Sequence, residues 1–380
     1  MKTNRNIRLM YAIALLQGMV FYAPIATLYR QNRGVGYFEI ALIESISLVA
    51  MILLEIPWGL IADRVGYKQT MLFCNALYLL SKIIFWKASG FGMFLAERLL
   101  LSAVLAGLSG CDTAYLYGNA QESDIRKIYS LYGMYSTIGY ISAALLFSVF
   151  MAQNDDLAAE MTVMSYAVAF VLTLFLGKAK PAFVPHQSVR NQLGDIFRSL
   201  RENKTVFPLL LSFAFLSESN LMITVFLSQA QYLRGGIGIS AIALFAVFPA
   251  LAGLCGGLGN HLAVKFGENR LMKWLFGIAA FACLIMGWSA SPVFTVICMV
   301  FLRGAASVAQ PIGMEIQNRF VSSASRASVL SVYSFIMNLS AAGMDLMFGS
   351  AAGISVSAGM LLGFFFCGAG LLFYSIRTKK

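Results

Sequence analysis

Ten ionisable side chains lie inside or at the ends of long apolar stretches of this 380-residue sequence. A charged group at the centre of a lipid bilayer costs roughly 3 kcal/mol or more, so each of them needs a partner or a function. Carboxyl groups in such places can bind and release protons, and arginines can hold the anionic part of a solute. The pattern therefore predicts proton and solute binding inside a membrane. The ten residues are Glu44, Glu55, Lys82, Glu97, Arg98, Asp112, Glu218, Arg303, Glu315 and Asp345.

Glu218 and Arg303 are the leading candidates, because each lies about twelve residues, or ~18 Å, into its apolar stretch. We predict that Glu218 binds a proton or the solute, and that Arg303 is its charge partner or anchors the solute. The alternative is a static ion pair between Glu218 and Arg303 that only joins two helices. The remaining candidates for solute or proton binding are Arg98, Gln17, Glu44, Tyr135, Gln310 and Asp345.

Two other charged residues are expected to have structural roles. Lys82 should extend toward the membrane surface or pair with Glu97, because a long basic side chain can keep its amine in a polar layer. Glu55 lies close to Pro57, near the end of its apolar stretch. Neither residue is expected to bind solute.

The composition shows which solvent surrounds these residues. Hydrophobic residues make up 59% of the chain and charged residues only 12%, with a mean hydropathy of +0.75. A soluble protein would be about 25% charged and could not bury so many apolar side chains. This composition excludes soluble enzymes, disordered scaffolds and nucleic-acid-binding proteins, so the chain is predicted to be a multi-pass membrane protein.

Catalytic and metal-binding motifs are absent from the sequence. There is no GxxxxGK[ST] loop to support ATP-driven transport, and no HExxH or GxSxG constellation. The six cysteines lie in apolar runs without CxxC spacing, which favours neither disulfides nor a zinc site. We therefore expect no enzymatic activity, no cofactor and no metal.

Apolar stretches of about 18 to 25 residues are long enough to cross a bilayer as helices. The sequence contains twelve, which predicts an all-α fold of twelve transmembrane helices in two six-helix halves. The first is too long for a signal peptide. Short connections at 87–90 and 289–291 predict two antiparallel helix pairs. The twelve spans are 8–29, 37–62, 70–89, 91–117, 127–151, 158–178, 206–231, 237–262, 271–289, 291–316, 328–350 and 352–376.

The basic residues orient these spans. Of the 28 Lys and Arg residues, 21 lie in the loops on the N-terminal side of the membrane. Basic loops stay in the cytoplasm, so both termini are expected there. The net charge of +11 is thus interpreted as a topology signal rather than a nucleic-acid-binding surface.

An internal repeat indicates that the chain has two related halves. The predicted domains are residues 1–178 and 206–380, and residues 179–205 form the linker between them. GLIADRVGYKQ at 59–69 and NHLAVKFGENR at 260–270 are 201 residues apart. The fourth and tenth spans each carry a polar stripe on one helix face. Residues 192–203 of the linker are predicted to form an amphipathic interfacial helix. The stripes consist of Arg98, Ser102, Ser109 and Asp112, and of Arg303, Ser307, Gln310 and Gln317.

The loop after the second span resembles the signature loop of the major facilitator superfamily. Its pattern is Gly59-x-x-x-Asp63-Arg64-x-Gly66-x-Lys68, and the surrounding residues resemble a bacterial branch with many members of unassigned substrate. The resemblance implies a secondary transporter working by alternating access, with the first, fourth, seventh and tenth spans around a central cavity.

The resemblance also implies a conformational latch formed by Gly59, Asp63, Arg64, Gly66, Lys68 and Asp112. In the family, the loop carboxylate contacts the eleventh helix, and a neighbouring basic residue meets an acid at the end of the fourth helix, here Asp112. This sequence has Tyr67 where the family usually has arginine, so the relay is expected to run through Lys68 or to be weakened. The second-half copy has Val264-Lys265 instead of an acidic-basic pair, so only the first latch is expected to be intact.

These features together predict a proton-coupled transporter of a polar or zwitterionic organic solute in the bacterial cytoplasmic membrane. We expect a monomer whose partners are the solute, protons and the bilayer, with no nucleic acid. Efflux by proton exchange is favoured over uptake, although the fifth span has Gly133 and Gly139 but no proline of the family's antiporter motif. The alternatives are uptake by proton symport, lipid transport by the same fold, and a non-transporting membrane receptor.

Overall fold

A computed structural model describes residues 5–109, 111–120, 125–177, 206–320 and 326–377. Over these ranges the chain is helical and contains no strand. Ten helical stretches within them are long and apolar enough to cross a membrane. The all-helical membrane fold predicted from the sequence is confirmed, and described helical residues occur in each of the twelve predicted spans, whose number stays a prediction. The predicted interfacial helix at 192–203 lies outside the described residues.

Sixteen α-helices follow one another along the described ranges. Short connections between Lys87 and Gly90, and between Trp288 and Pro292, confirm the two predicted tight helix pairs. In chain order the helices are α1 (Arg5–Gly18), α2 (Ala26–Gln31), α3 (Tyr37–Val65), α4 (Tyr67–Lys87), α5 (Gly90–Leu108), α6 (Cys111–Asn119), α7 (Ile125–Leu146), α8 (Asp155–Leu174), α9 (Val206–Leu221), α10 (Ser228–Arg234), α11 (Ile239–Ala252), α12 (Gly259–Phe266), α13 (Glu268–Trp288), α14 (Pro292–Arg319), α15 (Arg326–Ile354) and α16 (Val356–Arg377).

Residue contacts divide the chain into two compact units. The first unit holds the described residues up to Gly36, those from Ile46 to 177, and Ile239–Leu244. The second holds Tyr37–Ser45, the described residues from 206 to Gly238, and those from Phe245 onward. Apolar side chains such as Tyr115 and Phe276 fill the interior of each unit.

The sequence repeat has a counterpart in the backbone. Gly66 and Gly267, 201 residues apart, precede α4 and α13 with φ angles of 95° and 81°. The Gly66 N–H donates to the carbonyl of Ala62 at 2.9 Å, and the Gly267 N–H donates to Ala263 at 3.0 Å. Positive φ at this turn favours glycine, because a Cβ would clash with the backbone. The two halves therefore share one turn geometry after the second and eighth spans.

The first span is interrupted rather than continuous. Helix α1 ends at Gly18, and helical geometry resumes with a 3₁₀ turn at Ala23–Ile25 before α2. Backbone groups exposed by such a break must be satisfied inside the protein, because lipid offers no hydrogen bonds. Hydroxyl groups of α8 satisfy three of them. The bonds are Phe21 N–H to Thr162 Oγ1 (3.0 Å), Ser165 Oγ to the Leu16 carbonyl (2.6 Å) and Tyr166 Oη to the Gln17 carbonyl (2.7 Å).

The seventh span is irregular at the corresponding place. A π-helical segment at Met222–Leu227 separates α9 from α10, and subtracting the repeat offset of 201 places it over the break in the first span. Short π segments inside membrane or soluble helices often mark functional sites. Both repeats thus depart from regular helix at the same position.

The eighth span contains a glycine-rich 3₁₀ segment at Gly253–Leu258 between α11 and α12. With three residues per turn, Gly253, Gly256 and Gly259 lie on one face. A Cβ on Gly256 would lie 3.0 Å from the Ser307 carbonyl oxygen. The absent side chains allow this segment to lie directly against α14.

The second-half copy of the signature loop carries an ion pair of its own. Glu268 Oε2 lies 2.8 Å from Nη1 of Arg319 at the end of α14. The other arginine nitrogen, Nη2, contacts Glu315 at 2.5 Å. Here the acid is in the loop and the base on the tenth span, the reverse of the charges expected in the first half. The acid of this pair, Glu268, lies three residues beyond Lys265, outside the positions that correspond to Asp63 and Arg64 at the offset of 201.

Candidate functional site

A cavity of about 600 Å³ lies within the second unit. Helices α9 and α14 form most of its wall, and Gly253, Ser334 and Met337 complete it. The four residues of the polar stripe predicted on the tenth span, Arg303, Ser307, Gln310 and Gln317, all line this cavity. They extend over fourteen residues of α14, or ~21 Å of helix.

The cavity wall is mixed in polarity. Eight of its seventeen residues have polar or charged side chains, and Arg303 is the only charged one among these described residues. Pockets for small organic molecules combine apolar surface with a few polar groups that orient the ligand. The polar residues of the wall are Ser217, Asn220, Arg303, Ser307, Gln310, Gln317, Asn318 and Ser334.

Arg303 is seated against the glycine-rich segment. A Cβ on Gly253 would lie 3.2 Å from Arg303 Nε and 3.6 Å from Nη2. The guanidinium therefore occupies space that any side chain at position 253 would take. The sequence signal for this contact is the spacing of three residues between Gly253 and Gly256. The 3.6-residue period of an α-helix does not predict that these glycines share a face.

Glu218 lies on a neighbouring face of α9. Ser217 and Asn220 face the cavity, whereas Glu218 is turned about 100° from Ser217 around the helix. Its carboxyl group lies close to that of Asp345 on α15, near enough for the two groups to act on each other electrostatically. Glu218 is 5% exposed and Asp345 1% exposed, so the pair is shielded from solvent.

A hydrogen bond between two carboxyl groups requires a proton, since an ionised carboxylate can only accept. A hydrogen bond between Glu218 and Asp345 would therefore require one of the two carboxyl groups to be protonated. Glu44 of α3 is also buried and interacts electrostatically with Glu218. The Ser45 hydroxyl donates to the Ala342 carbonyl at 2.7 Å, which holds this part of α3 against α15. Helices α9 and α15 and the first part of α3, Tyr37–Ser45, therefore contribute buried carboxyl groups to the second unit.

The structure places the Glu218 carboxyl group beside that of Asp345, whereas Arg303 lines the cavity, and the predicted contact between Glu218 and Arg303 stays a prediction. The depth of a residue in its span follows from its position in the sequence, and both residues are about equally deep. The neighbour that faces each residue depends on how the helices are rotated against each other. Equal depth is therefore the basis for predicting a contact between Glu218 and Arg303. Helix packing, which depth does not describe, sets Glu218 beside Asp345.

The candidates Gln17, Arg98 and Tyr135 belong to the first unit. Gln17 Nε2 donates to Asn75 Oδ1 at 2.5 Å, inside a buried polar contact. The Tyr135 ring stacks on Tyr11 with 5.1 Å between centroids. Arg98 interacts electrostatically with Lys82. These residues are not part of the cavity wall of the second unit.

Lys82 does not extend to the membrane surface. Its side chain is buried, and Nζ donates to the hydroxyl of Tyr22 at 3.2 Å. The rings of Tyr78 and Tyr166 lie 5.1 and 5.2 Å from Nζ, and the buried Glu97 acts on it electrostatically. Tyr78 lies one helical turn before Lys82 on α4, whereas Tyr22 and Tyr166 come from other spans, so local pattern could have indicated only the Tyr78 contact.

The latch residues are only partly described. Asp112 accepts hydrogen bonds from the Thr113 N–H at 2.7 Å and from the Tyr132 side chain. Arg64 is exposed near the end of α3, and Lys68 is half-buried at the start of α4. The described residues do not include the side chains of Asp63 and of 326–331, at the start of the eleventh span, or the surroundings of Gly59. The latch therefore stays a prediction.

Comparison with solved structures places this fold among transporters. A mutant of the nucleoside transporter NupG superposes with a TM-score of 0.83 at 16% identity, covering 98% of this chain and 99% of that one. A bacterial homologue of the human lysosomal transporter Spinster gives 0.76 at 17% identity, covering 98% and 96%. A POT family transporter in complex with 5-aminolevulinic acid gives 0.76 at 13% identity, covering 99% and 96%.

Sequence comparison with curated proteins finds no match. The family model of the Major Facilitator Superfamily, however, matches residues 9–344. That match covers most of both predicted halves and agrees with the fold of the similar structures. The chain is a multi-pass membrane transporter that belongs to the major facilitator superfamily.

Proposed function

We propose that the chain is a proton-coupled secondary transporter that exports a small polar organic solute. Glu218 and Asp345 hold the coupling proton, and the cavity of the second unit holds the solute. The observation that carries this proposal is the pair of buried carboxyl groups on α9 and α15, which lie close enough to act on each other. Glu218 belongs to the same helical turn as the wall residues Ser217 and Asn220.

Proton release would change the packing of α9. Without the shared proton, the pair would consist of two carboxylates at hydrogen-bond distance, which repel each other strongly in a low-dielectric interior. The repulsion favours separation of α9 from α15. The π segment at Met222–Leu227 follows directly after α9 and supplies a place where the helix can adjust. Movement of α9 would carry Ser217 and Asn220 with it and alter the cavity.

The polar wall supports an organic solute with hydrogen-bonding groups. A lipid transporter needs an apolar cavity, which does not suit a wall with Arg303 and three glutamine or asparagine side chains on α14. Two of the similar structures are a nucleoside transporter and a complex with 5-aminolevulinic acid, both polar organic solutes. The cavity extends to Asn318, at the end of α14 predicted to be cytoplasmic, which is where a solute would enter in an export cycle.

Vesicle transport tests this proposal. The full chain is reconstituted into phospholipid vesicles with a pH-sensitive dye, and labelled amino acids, sugars, organic acids and nucleosides are supplied outside. Vesicles that are acidic inside should accumulate the solute while protons leave, as expected for exchange. Accumulation only in vesicles that are acidic outside would indicate symport uptake instead. Absence of proton-linked flux for the whole panel would contradict the proposal and favour the receptor alternative.

Gly253→Val is expected to weaken solute binding. The valine side chain would occupy the space of the Arg303 guanidinium and displace it from the wall. We expect the half-saturation concentration for the solute to rise about tenfold, equivalent to ~1.4 kcal/mol of binding energy. Kinetics in the same vesicles provide the measurement. Gly257→Val is the matched control, because a Cβ at Gly257 meets nothing within 4 Å; equal effects of both substitutions would contradict the role of Gly253.

A further inference from the structure

We infer that Asn220 is a specificity-determining residue of the cavity, and that its side-chain oxygen accepts a hydrogen bond from a hydroxyl or N–H group of the solute. This inference rests on the proposed function, because it takes the cavity of the second unit as the solute site. It goes further by naming the residue that reads the solute and the chemical group that the solute must carry.

The side chain of Asn220 is buried without its full set of hydrogen bonds. The residue is 6% exposed, and its Oδ1 atom accepts no hydrogen bond from the residues that the structure describes. Most buried polar side-chain atoms in proteins have a partner, so a buried exception requires an explanation. An oxygen without a donor destabilises the fold. A polar group kept at this cost inside a membrane protein points to a function.

Asn220 is placed where a donor group of the solute can meet it. It belongs to the cavity wall together with Ser217, which lies three residues earlier on the same face of α9. The backbone carbonyl of Asn220 accepts a hydrogen bond from the Thr224 hydroxyl at 2.7 Å, where α9 is followed by the π segment. The protein therefore holds the backbone at this transition, whereas the side-chain oxygen is left for another partner.

The chemistry of the amide defines the solute group that matches it. An amide oxygen accepts hydrogen bonds and cannot donate, so its partner is an O–H or an N–H. The oxygen is shielded from solvent in this conformation, but the terminal torsion of an asparagine side chain has a broad energy well, and rotation about it can turn the oxygen toward a solute. We therefore expect a solute with hydroxyl or N–H groups rather than one whose polar atoms are all acceptors.

The neighbouring Ser219 supplies a matched control. Its hydroxyl oxygen is also buried and has no hydrogen-bond partner among the described residues. Ser219 is turned about 100° from Asn220 around α9, and it is not among the described residues that line the cavity. Both side chains thus carry the same kind of stability cost, but only Asn220 can meet the solute.

Thermal unfolding of the detergent-purified full chain, with and without solute, tests the inference. The variants are Asn220→Ala, Asn220→Leu and Ser219→Ala, and the added compounds are the amino acids, sugars, organic acids and nucleosides of the vesicle panel. Each compound that stabilises the wild-type chain is compared with derivatives in which the hydroxyl or the N–H groups are methylated, which distinguishes the two kinds of donor. The concentration dependence of the Tm gives the dissociation constant.

Without solute, the variants are expected to have a Tm equal to or higher than that of the wild type, because each removes a buried oxygen that has no partner. With solute, both Asn220 variants should bind at least about tenfold more weakly, whereas Ser219→Ala should bind as tightly as the wild type. Methylation of the donor group should weaken binding to the wild type at least about tenfold. The alanine variant decides the outcome if leucine is too large for the site.

Three results would overturn the inference. The first is a Tm of solute-free Asn220→Ala well below that of the wild type, which would show that the oxygen has a partner inside the protein. The second is unchanged binding of the solute to Asn220→Ala, or of all methylated derivatives to the wild type. The third is that no compound of the panel stabilises the wild-type chain.

Unfolding and vesicle transport separate failure of this inference from failure of the proposed function. The Tm is measured in detergent without a pH gradient, so it does not depend on proton coupling. Solute binding that requires Asn220, without proton-linked flux in vesicles, would defeat the proposed function alone. Proton-linked flux with an unchanged half-saturation concentration in Asn220→Ala would defeat the inference alone.

Discussion

Glu218→Gln and Asp345→Asn are each expected to abolish uphill solute transport while solute exchange across the membrane continues. The amides nearly preserve size and hydrogen bonding but cannot take up and release the coupling proton. Accumulation driven by a pH gradient should fall by at least about tenfold. Counterflow, in which unlabelled internal solute exchanges for labelled external solute, should be retained, because it needs the cavity but no net proton movement.

The pair should behave as a unit. Each amide variant still joins α9 to α15 by a hydrogen bond, so the double variant should lose no more uphill transport than either single variant. Glu315→Gln is the matched control, since Glu315 is exposed and pairs with Arg319 at the end of α14. Uphill transport should survive in that control. Uphill accumulation by Glu218→Gln at the wild-type rate would show that the coupling proton binds elsewhere.

Gly139→Ala is expected to destabilise the first unit strongly. A Cβ on Gly139 would overlap the backbone carbonyl of Leu15, and a Cβ on Gly18 would overlap that of Ser136. Helices α1 and α7 thus meet backbone to backbone at these two glycines, as small residues in membrane helices allow. The methyl group would force the helices apart, at a cost of about 3 kcal/mol.

Gly133→Ala provides the control on the same helix. A Cβ on Gly133 meets nothing within 4 Å, and alanine favours helix over glycine by roughly 0.5–1 kcal/mol. Thermal unfolding of the detergent-purified protein should show a lower Tm for Gly139→Ala and an equal or higher Tm for Gly133→Ala. Equal Tm values for both variants would mean that α1 and α7 do not approach as closely as described. A lower Tm for Gly139→Ala alone would instead give Gly139 a packing role on the fifth span, and this role requires no antiporter motif.

Several features of the fold follow from residues close together in the sequence. Lengths of apolar stretches predicted the helices, and the short connections at 87–90 and 289–291 predicted two tight helix pairs. The repeat at an offset of 201 reappears as the same turn at Gly66 and Gly267. The stripe from Arg303 to Gln317 could be predicted because helical periodicity alone places those four residues on one face.

Other features depend on neighbours that are distant in the chain. The break in the first span is held by Thr162, Ser165 and Tyr166 of α8, some 140 residues away in the sequence. Lys82 remains buried because Tyr22, Tyr78 and Tyr166 surround it. Apart from Tyr78, which lies one turn before Lys82 on the same helix, these contacts have no local signal, since polar residues inside a membrane helix can be satisfied by any adjacent helix.

The sequence by itself determined a membrane protein of repeated helical halves, the residues that share a helix face, and the scarce charged residues that could bind protons or solute. The tertiary structure decided that Glu218 meets Asp345, and that Arg303 instead lines a cavity beside Gly253. The physical reason is that helical periodicity specifies direction around one helix axis. The partner of a buried charge is set by the rotation and packing of its neighbouring helices, which involve many weak contacts between distant residues.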